Sequence, residues 1–319
     1  MAVYTDINDD TLAQLLDEYD IGPAIAFKGI AEGVENSNFL LETPAGRYFL
    51  TVFEKRVKAE DLPFFMGMMG HLADKGFPAP LPVLAKDGKA LRIVQGKPAV
   101  IVTFLQGISP SNPSVDQCRK LGAGLARFHR ALDDFKMRRP NDLSLASWPK
   151  LYQGREAQAD ALNPGLAPQI ASDLDFLKAN WPKNLPAGPI HADLFPDNAF
   201  FLDGELSGVF DFYFACSDFL AYDIAVCLNS WAFERRGEYN LTKGKALISG
   251  YESVRRLEPR ERAALPVLSR GAAMRFFLTR LVDWASTPKD ALVRPKNPMD
   301  YSERLGFHRQ ARGPEDYGA

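Results

Sequence analysis

The chain changes its pattern of apolar residues near residue 105, and this change limits the folds that it can adopt. Before that point, short runs of β-branched and aromatic residues are separated by turn residues, as in strands and hairpins. Beyond it, apolar residues recur mostly every three or four positions, as they do along amphipathic helices. The sequence therefore predicts an α+β chain with a β-rich first part, residues 1–105, and a larger, mainly helical second part, residues 106–319.

The first part is predicted to form an antiparallel sheet with helices. Turn residues at Pro44–Gly46 and at Gln95–Lys97 predict two hairpins. The Met-rich stretch Glu60–Lys75 predicts a helix whose broad apolar face packs in the core rather than forming a promiscuous binding groove. The predicted elements are a helix at Thr5–Tyr19, strands at Ala24–Ile30, Asn38–Thr43 and Tyr48–Phe53, the helix Glu60–Lys75, and strands at Ala90–Val94 and Pro98–Phe104.

The second part follows a linker rich in turn residues, Gly107–Ser114. A short β-rich insert, Pro189–Phe212, interrupts its helices. After Thr287 the chain is polar and rich in proline and charge, which predicts an irregular tail. Helices are predicted at Val115–Leu132, once or twice within residues 151–181, and at Asp218–Phe233, Lys243–Arg255 and Arg260–Trp284.

Composition and charge exclude several classes of function. Lys plus Arg is 38 and Asp plus Glu is 40, so the net charge of −2 gives no general attraction to nucleic acid or to an anionic membrane. The 3 cysteines have neither disulfide nor zinc spacing. No stretch of about 18 apolar residues occurs that could span a bilayer. We therefore expect a cytoplasmic protein with reduced thiols and with neither nucleic acid nor membrane as a partner.

The stretch that carries chemistry is His191–Asn198, with the sequence HADLFPDN and the spacing H-x-D-x-x-x-x-N. A predicted hairpin follows it and ends at Asp211. Given 4 histidines in the chain and its numbers of Asp and Asn, chance alone would produce about 0.01 such matches. The alternative is that these residues only form turns and caps.

Phosphoryl transfer from ATP requires residue types of this kind. A carboxylate orients the attacking hydroxyl and accepts its proton, and magnesium on the phosphates prefers hard oxygen donors. One Asp and one Asn on a single loop, with a second Asp after the hairpin, meet both needs. The sequence therefore predicts a kinase that uses ATP and Mg²⁺.

At these residues the chain resembles the aminoglycoside-phosphotransferase-like small-molecule kinases, which are relatives of the protein kinases. The resemblance also includes the helix LGAGLARFHRAL (Leu121–Leu132), the strand VFDF and the segment YDIAVCLNSW (Tyr222–Trp231), and it covers most of the chain. It implies a two-lobed protein-kinase-like fold, with Asp193 as catalytic base and Asn198 and Asp211 as metal ligands. His191 is then a scaffold residue, and His129 is expected to be structural.

The nucleotide side departs from the family in two places. The loop AEGVENS (Ala31–Ser37) lies where the family covers the ATP phosphates, but it has a single glycine. The alternative is that it is an ordinary hairpin connection. Thr51 stands where the family often has a Lys or Arg that contacts the α- and β-phosphates of ATP. That contact would instead come from Lys55, from another cation, or from the metal and the backbone. Glu60 is only a weak candidate for the acidic partner of such a cation. Thr103–Leu105 resembles the hinge that binds adenine, or is only the end of a core strand. The nucleotide-binding candidates are Gly33, Asn36, Ser37, Asn38, Thr51, Thr103, Phe104 and Leu105.

Acceptor-binding candidates come after Asp211. A carboxylate suits an ammonium group, and an arginine fork suits a carboxylate. Asp223 is alternatively a helix cap, and Arg275, on an apolar helix face, is alternatively part of a structural ion pair. The candidates are Tyr213, Asp218, Asp223, Trp231 and Arg275.

The stretches VENSNFLLET and PIHADLFPDNAFF extend the resemblance and imply L-homoserine as the acceptor. Two alternatives stay open: another small alcohol such as choline, a methylthio-sugar or an aminoglycoside, and a catalytically inactive nucleotide-binding regulatory protein.

Overall fold

The computed structural model describes residues 5–30, 36–54, 57–235, 237–287 and 295–319. The chain divides into two compact units. The first is Met1–Gly107 together with Gly208–Tyr213, and the second is Ile108–Ser207 together with Phe214–Ala319. The sequence did not indicate that Gly208–Tyr213, which includes Asp211, groups with the first unit.

The first unit is built on a five-stranded antiparallel sheet with the strand order β1-β2-β3-β5-β4. The β4–β5 connection is a two-residue turn in which Gln95 and Gly96 have φ of 50° and 77°, the left-handed backbone that such a hairpin needs. The elements are α1 Asp9–Leu16, β1 Ala26–Ile30, β2 Asn36–Thr43, β3 Gly46–Phe53, α2 Leu62–Asp74, β4 Leu91–Val94 and β5 Lys97–Thr103.

Both helices of the first unit bury their apolar faces. In α1, Leu12, Leu15 and Leu16 belong to one core cluster with sheet residues such as Leu41 and Ile101. In α2 the Met-rich face is buried, with Phe65, Met68 and Leu72 almost inaccessible to solvent. The prediction that this face is core is therefore confirmed.

The second unit is mainly helical. Three helices, rather than one or two, occupy the region around residues 148–180, and two short strand pairs, β6 with β9 and β7 with β8, accompany the helices. The elements are α3 Val115–Ala131, α4 Trp148–Tyr152, α5 Glu156–Leu162, α6 Leu166–Asn180, β6 Ala187–Ile190, β7 Ala199–Leu202, β8 Glu205–Val209, β9 Cys216–Phe219, α7 Leu220–Trp231, α8 Leu241–Glu252, α9 Pro259–Ser286 and α10 Met299–Gln310. The predicted α+β class is confirmed.

Helices α3 and α8 approach each other closely because each carries a glycine at the contact. A Cβ atom on Gly122 would lie 2.0 Å from the Leu247 carbonyl oxygen, and one on Gly250 would lie 2.0 Å from that of Arg119. No larger residue fits at either position without moving a backbone. The close approach brings Tyr251 of α8 within hydrogen-bond distance of His129 of α3.

The predicted irregular tail is wrong at residues 299–310, which form α10, and the part of the prediction at residues 288–294 lies outside the described residues. The buried face of α10 is made by Tyr301, Leu305 and His308, at helical spacing. His308 tolerates burial because Tyr317 Oη lies 2.7 Å from its Nδ1 and Asn229 Oδ1 lies 2.9 Å from its Nε2. The apolar pattern is sparse because one of the three buried positions is polar.

No helix in the described ranges is long and apolar enough to cross a membrane. The longest of those helices, α9, carries Arg270, Arg275 and Arg280 along its length.

Candidate functional site

The loop His191–Asn198 joins β6 to β7 in the second unit. Its start is fixed because β6 pairs antiparallel with β9, with Ile190 opposite Cys216. Its end is a single 3₁₀ turn, Pro196–Asn198. We call this segment the catalytic loop, after the phosphoryl-transfer role that its sequence predicts.

The two aspartates of the catalytic loop have different surroundings. The side chain of Asp193 is 18% exposed, whereas that of Asp197 is 65% exposed, with Lys296 Nζ 3.6 Å from its Oδ2. Asn198 Nδ2 donates to the Asp193 carbonyl oxygen at 2.8 Å and lies 3.5 Å from Asp193 Oδ2. Asp193 is therefore oriented yet accessible, as a general base must be.

The residue before Asp193 is held in an unusual backbone conformation. Ala192 has φ of 62°, in the left-handed region, and is buried. Such a conformation costs about 1–3 kcal/mol outside glycine and persists only where neighbouring contacts impose it. Here the backbone N–H groups of His191 and Ala192 each donate to Asp223 at 2.8 Å, and the Ala192 carbonyl accepts from Arg275 Nη1.

Asp223 was predicted to face the acceptor, and the structure corrects this. Its side chain has no exposed surface and accepts hydrogen bonds from the catalytic loop and from His129 Nε2, at 3.1 Å. Burial alone would raise the pKa of Asp223, but the hydrogen bond from His129 and the donors around it bring that pKa below its usual range. Nor does it cap α7, because the N-cap position of that helix is Phe219. Asp223 is an ionised anchor of the loop.

The interaction continues from Asp223 to α8. Because a carboxylate only accepts, His129 Nε2 is the donor to Asp223, and the other ring nitrogen, Nδ1, forms a hydrogen bond of 2.8 Å with Tyr251 Oη. Arg255 donates to the same hydroxyl at 3.2 Å and pairs with Glu261. The prediction that His129 is structural is confirmed, since both ring nitrogens are bonded within the core.

Trp231 also supports the loop, which corrects its predicted place in the acceptor site. The side chain is 1% exposed, and its indole N–H donates to the Leu194 carbonyl at 2.9 Å. Ser230 Oγ, one residue earlier, lies 3.3 Å from the same oxygen, while its shortest hydrogen bond, of 2.9 Å, goes to the Val226 carbonyl.

Arg275 projects from α9 to the catalytic loop. Besides its bond to Ala192, its Nη2 lies 3.8 Å from Asp193 Oδ1. The guanidinium carbon lies 4.4 Å from the ring centre of Phe276 and 5.3 Å from that of Phe214. The predicted charge on an apolar face is therefore paired with the loop through its two Nη atoms, whereas its buried Nε has no hydrogen-bond partner among the described residues.

Asp218, another acceptor candidate, lies partly buried on β9. Asn141 Nδ2 donates to its Oδ2 at 2.7 Å, and the Phe219 N–H donates to its Oδ1 at 2.7 Å. Burial raises the pKa of Asp218, against the lowering effect of these donors. Asn141 had no distinguishing sequence signal, because it lies in an irregular segment 77 residues from its partner.

Tyr213, which was predicted to bind the acceptor, lies in the first unit and contacts the nucleotide candidate Thr51, and its acceptor role stays a prediction. Its ring meets those of Phe53 and Phe65 edge-on, at 4.9 and 5.7 Å between centres. Burial raises the pKa of its hydroxyl, which also forms a hydrogen bond with Thr51. The Thr51 hydroxyl donates in turn to Asn38 Oδ1 at 2.8 Å.

Asp211 also belongs to the first unit and, unlike Asp223, is exposed. Its φ of 64° is a second left-handed backbone at a non-glycine residue. Strained residues of this kind concentrate at functional sites.

Of the predicted phosphate loop, Gly33 lies outside the described residues, as does Lys55. Asn36 and Ser37 open β2 instead of lying in the loop, so that part of the prediction is wrong. The Ser37 hydroxyl donates to Glu54 Oε1 at 2.7 Å, and Asn36 Oδ1 accepts from the Glu54 N–H at 3.4 Å. The hydroxyl of Ser37 is thus bonded to the residue that follows β3. Glu60 is exposed in the 3₁₀ turn before α2.

The predicted adenine-binding segment follows the end of β5. Thr103 Oγ1 accepts from the Leu81 N–H at 2.9 Å, and the Phe104 N–H donates to the Arg47 carbonyl oxygen at 3.2 Å. The Leu105 side chain lies so close to Gly208 that a Cβ there would be 2.8 Å from Leu105 Cδ1. Adenine binding by Thr103, Phe104 and Leu105 stays a prediction.

A profile of the phosphotransferase enzyme family matches residues 26–257. A protein of Hyphomonas neptunium named homoserine kinase is 59% identical to this chain over 328 residues, covering 100% of both. One of Xanthobacter autotrophicus with the same name is 58% identical over 318 residues, covering 100% of this chain and 99% of the relative.

Solved kinase structures resemble the fold at low sequence identity. A microcompartment-associated aminopropanol kinase has a TM-score of 0.70 at 16% identity, covering 95% of this chain and 94% of that one. An amicoumacin kinase in complex with AMP-PNP and Ca²⁺ has a TM-score of 0.68 at 16% identity, covering 95% and 92%. The predicted kinase-like fold is confirmed.

Proposed function

This chain belongs to the phosphotransferase enzyme family, and we propose that it transfers the γ-phosphoryl group of ATP to the hydroxyl of L-homoserine. The products are ADP and O-phospho-L-homoserine. The observation that carries the proposal is 55–59% identity over the whole chain to proteins named homoserine kinase. The geometry of the catalytic loop supports the reaction type independently.

Asp193 is proposed as the general base. Its carboxylate is partly exposed and lies between Asn198 and Arg275, which limits its rotation. It would orient the primary hydroxyl of homoserine toward the phosphorus and accept the hydroxyl proton as the new O–P bond forms. A positioned base of this kind typically contributes about 10²–10⁴-fold to the rate.

Asn198 and Asp211 are proposed to hold Mg²⁺. One offers an amide oxygen and the other an exposed carboxylate, and Mg²⁺ is commonly held by one or two such ligands together with substrate phosphates. Among the residues that the structure describes, His, Cys, Asp and Glu form no group of three that could hold a metal ion. When bound, Mg²⁺ neutralises charge on the β- and γ-phosphates. The Asn198 amide N–H₂ is already bonded to the Asp193 carbonyl, which leaves its oxygen as the ligand atom.

For the acceptor, Asp218 is the proposed partner of the ammonium group. Its carboxylate is partly buried, so the charge attraction is screened less than at the surface. An ammonium ion beside it would offset the burial that raises its pKa. We place the reaction in threonine biosynthesis and the enzyme in the cytoplasm, both as proposals.

The test is ADP release from Mg-ATP with a panel of acceptors: L-homoserine, L-serine, L-threonine, choline, methylthioribose and kanamycin. We expect strong turnover with L-homoserine alone, dependent on magnesium and lost in Asp193→Asn. Turnover with a different acceptor would keep the mechanism and reject the substrate. Absence of turnover with every acceptor, with Mg-ATP binding intact, would reject the proposed activity.

A further inference from the structure

We propose that Arg275 is a positioning residue, which holds the Asp193 carboxylate in its reactive orientation and does not bind the carboxylate of the acceptor. The inference rests on the proposed function and deepens it. Arg275, which the sequence predicts as an acceptor ligand, would instead support the catalytic loop.

Arg275 contacts the loop at two consecutive residues. Nη1 donates to the Ala192 carbonyl, and Nη2 lies 3.8 Å from Asp193 Oδ1. On the opposite side, Asn198 Nδ2 lies 3.5 Å from Asp193 Oδ2. The two oxygens of Asp193 therefore face two different groups, a guanidinium at ion-pair distance and an amide N–H₂ at 3.5 Å, so a rotation of the carboxylate weakens at least one of these interactions.

The bond to Ala192 has a second effect, because that residue has a left-handed backbone. Asp223 holds the N–H of Ala192 and Arg275 holds its carbonyl, so the residue is fixed on both sides. Without Arg275, the peptide group that joins Ala192 to Asp193 would lose its side-chain partner. The direction in which Asp193 leaves the backbone would then be set less firmly.

The guanidinium has little freedom to serve a ligand as well. Its side chain is 3% exposed, and aromatic rings of Phe214 and Phe276 lie 5.3 and 4.4 Å from the guanidinium carbon. An arginine fork binds a carboxylate with two parallel N–H groups. Both Nη atoms already face the loop, and an acceptor carboxylate on the same fork would lie beside the negative charge of Asp193. Repulsion between the two carboxylates opposes that arrangement.

The test is a cycle of two enzymes and two acceptors. The enzymes are the wild type and Arg275→Met, and the acceptors are L-homoserine and 3-aminopropan-1-ol, which keeps the ammonium and hydroxyl but lacks the carboxylate. We expect kcat to fall about 10²-fold with both acceptors, as for a misplacement of about 1 Å, while KM for L-homoserine changes by less than about threefold. Arg275→Lys should recover about tenfold of this loss, since it keeps the charge but lacks the planar fork.

A matched control is Arg270→Met, on the same helix. Arg270 is also largely buried and pairs with Asp173, which has no exposed surface, so its loss should lower stability and leave kcat within about twofold. If Arg275→Met raised KM for L-homoserine and had no effect with 3-aminopropan-1-ol, Arg275 would be an acceptor ligand and the inference would be wrong. Unchanged kcat with both acceptors would also overturn it.

A structural measurement separates this inference from the proposed function. Crystal structures of the wild type and of Arg275→Lys would give the position of Asp193 directly. The Lys variant is chosen because it keeps the buried charge, so it is available even if the Met variant does not fold. We expect the Asp193 carboxylate to become disordered in Arg275→Lys or to shift, by less than the displacement of about 1 Å expected for Arg275→Met. An unmoved carboxylate would reject the positioning role, whichever alcohol the enzyme phosphorylates.

Discussion

Replacing Asp223 by Asn tests whether one buried carboxylate holds the catalytic loop. The wild-type side chain accepts from His191 N and His129 Nε2 on one oxygen and from Ala192 N on the other. Asn has nearly the same shape but only one acceptor oxygen. If that oxygen takes the position shared by His191 and His129, the new NH₂ group faces the Ala192 N–H, and two donors meet.

The cost follows from the bonds that are lost or weakened. Hydrogen bonds to a charged group contribute about 1.5–3 kcal/mol each, and a buried donor left without a partner costs about 1–3 kcal/mol. The two bonds that remain lose their charge assistance and become about half as strong. Together these effects lower the free energy of unfolding by about 3–5 kcal/mol, a large fraction of the 5–15 kcal/mol typical of a folded protein.

Urea unfolding followed by circular dichroism measures this loss, and ADP release under conditions where the variant stays folded measures its effect on the loop. Asp173→Asn is the matched control, because Asp173 is equally buried and pairs with Arg270 and Arg309. We expect both variants to lose stability, but only Asp223→Asn to lose kcat, by about tenfold or more. A loss of stability below about 1 kcal/mol, or wild-type kcat in a folded Asp223→Asn, would refute the anchoring role.

The pKa of Asp223 adds a pH signature to the same comparison. Since its pKa in the folded state lies below 3.8, its value when unperturbed, the unfolded chain binds the proton first as the pH falls. The contribution of Asp223 to the free energy of unfolding is therefore complete at pH values well above 3.8, and it is lost as the pH falls through the folded-state pKa. Below about pH 4, the urea midpoint of the wild type should fall more steeply than that of Asp223→Asn.

Three further substitutions test other parts of the molecule. Asp193→Ala should lower kcat by about 10²–10⁴-fold and leave Mg-ATP binding largely intact in a nucleotide titration, and near-normal turnover would reject the general base. Asp211→Ala should weaken Mg-ATP binding and raise the magnesium concentration needed for turnover, whereas an unchanged metal dependence would remove it from the ligand set. His308 has its pKa lowered from 6.5 to about 3, mainly by burial and then by nearby Arg304, so the unfolded chain alone takes up a proton between these pH values. The free energy of unfolding should therefore fall with decreasing pH below 6.5, by up to about 1.4 kcal/mol per pH unit. Urea titrations should find a smaller change in that free energy with pH in His308→Gln. Equal slopes in the two proteins would contradict the lowered pKa of His308.

Local patterns explain why most of the fold could be predicted. The alternation that marks β2 and β3, and the turn residues between β4 and β5, act over a few neighbouring residues and leave a signal in the sequence. Helix α10 was missed because one of its buried positions is His308, whose partners Asn229 and Tyr317 come from other segments. Burial of a polar residue depends on such distant partners, which no local pattern reveals.

The same distinction separates the parts of the candidate site. Asp193 and Asn198 could be proposed from the sequence because the loop carries both within six residues. Asp223 and Trp231 were assigned wrongly because α7 is buried on nearly all sides, so its sequence has no polar stripe to indicate which face meets a ligand. Their partners in the loop lie 31 to 37 residues away, a separation at which only the tertiary structure decides what touches what.

The strength of these distant contacts determines whether the loop holds its shape by itself. The left-handed backbone at Ala192 costs about 1–3 kcal/mol. Three bonds to charged side chains oppose that cost, two to Asp223 and one to Arg275, and each contributes about 1.5–3 kcal/mol. Because the bonds outweigh the strain, the loop is formed before any substrate binds. Asp193 is then already oriented when the acceptor hydroxyl arrives, and little reorganisation remains for the chemical step.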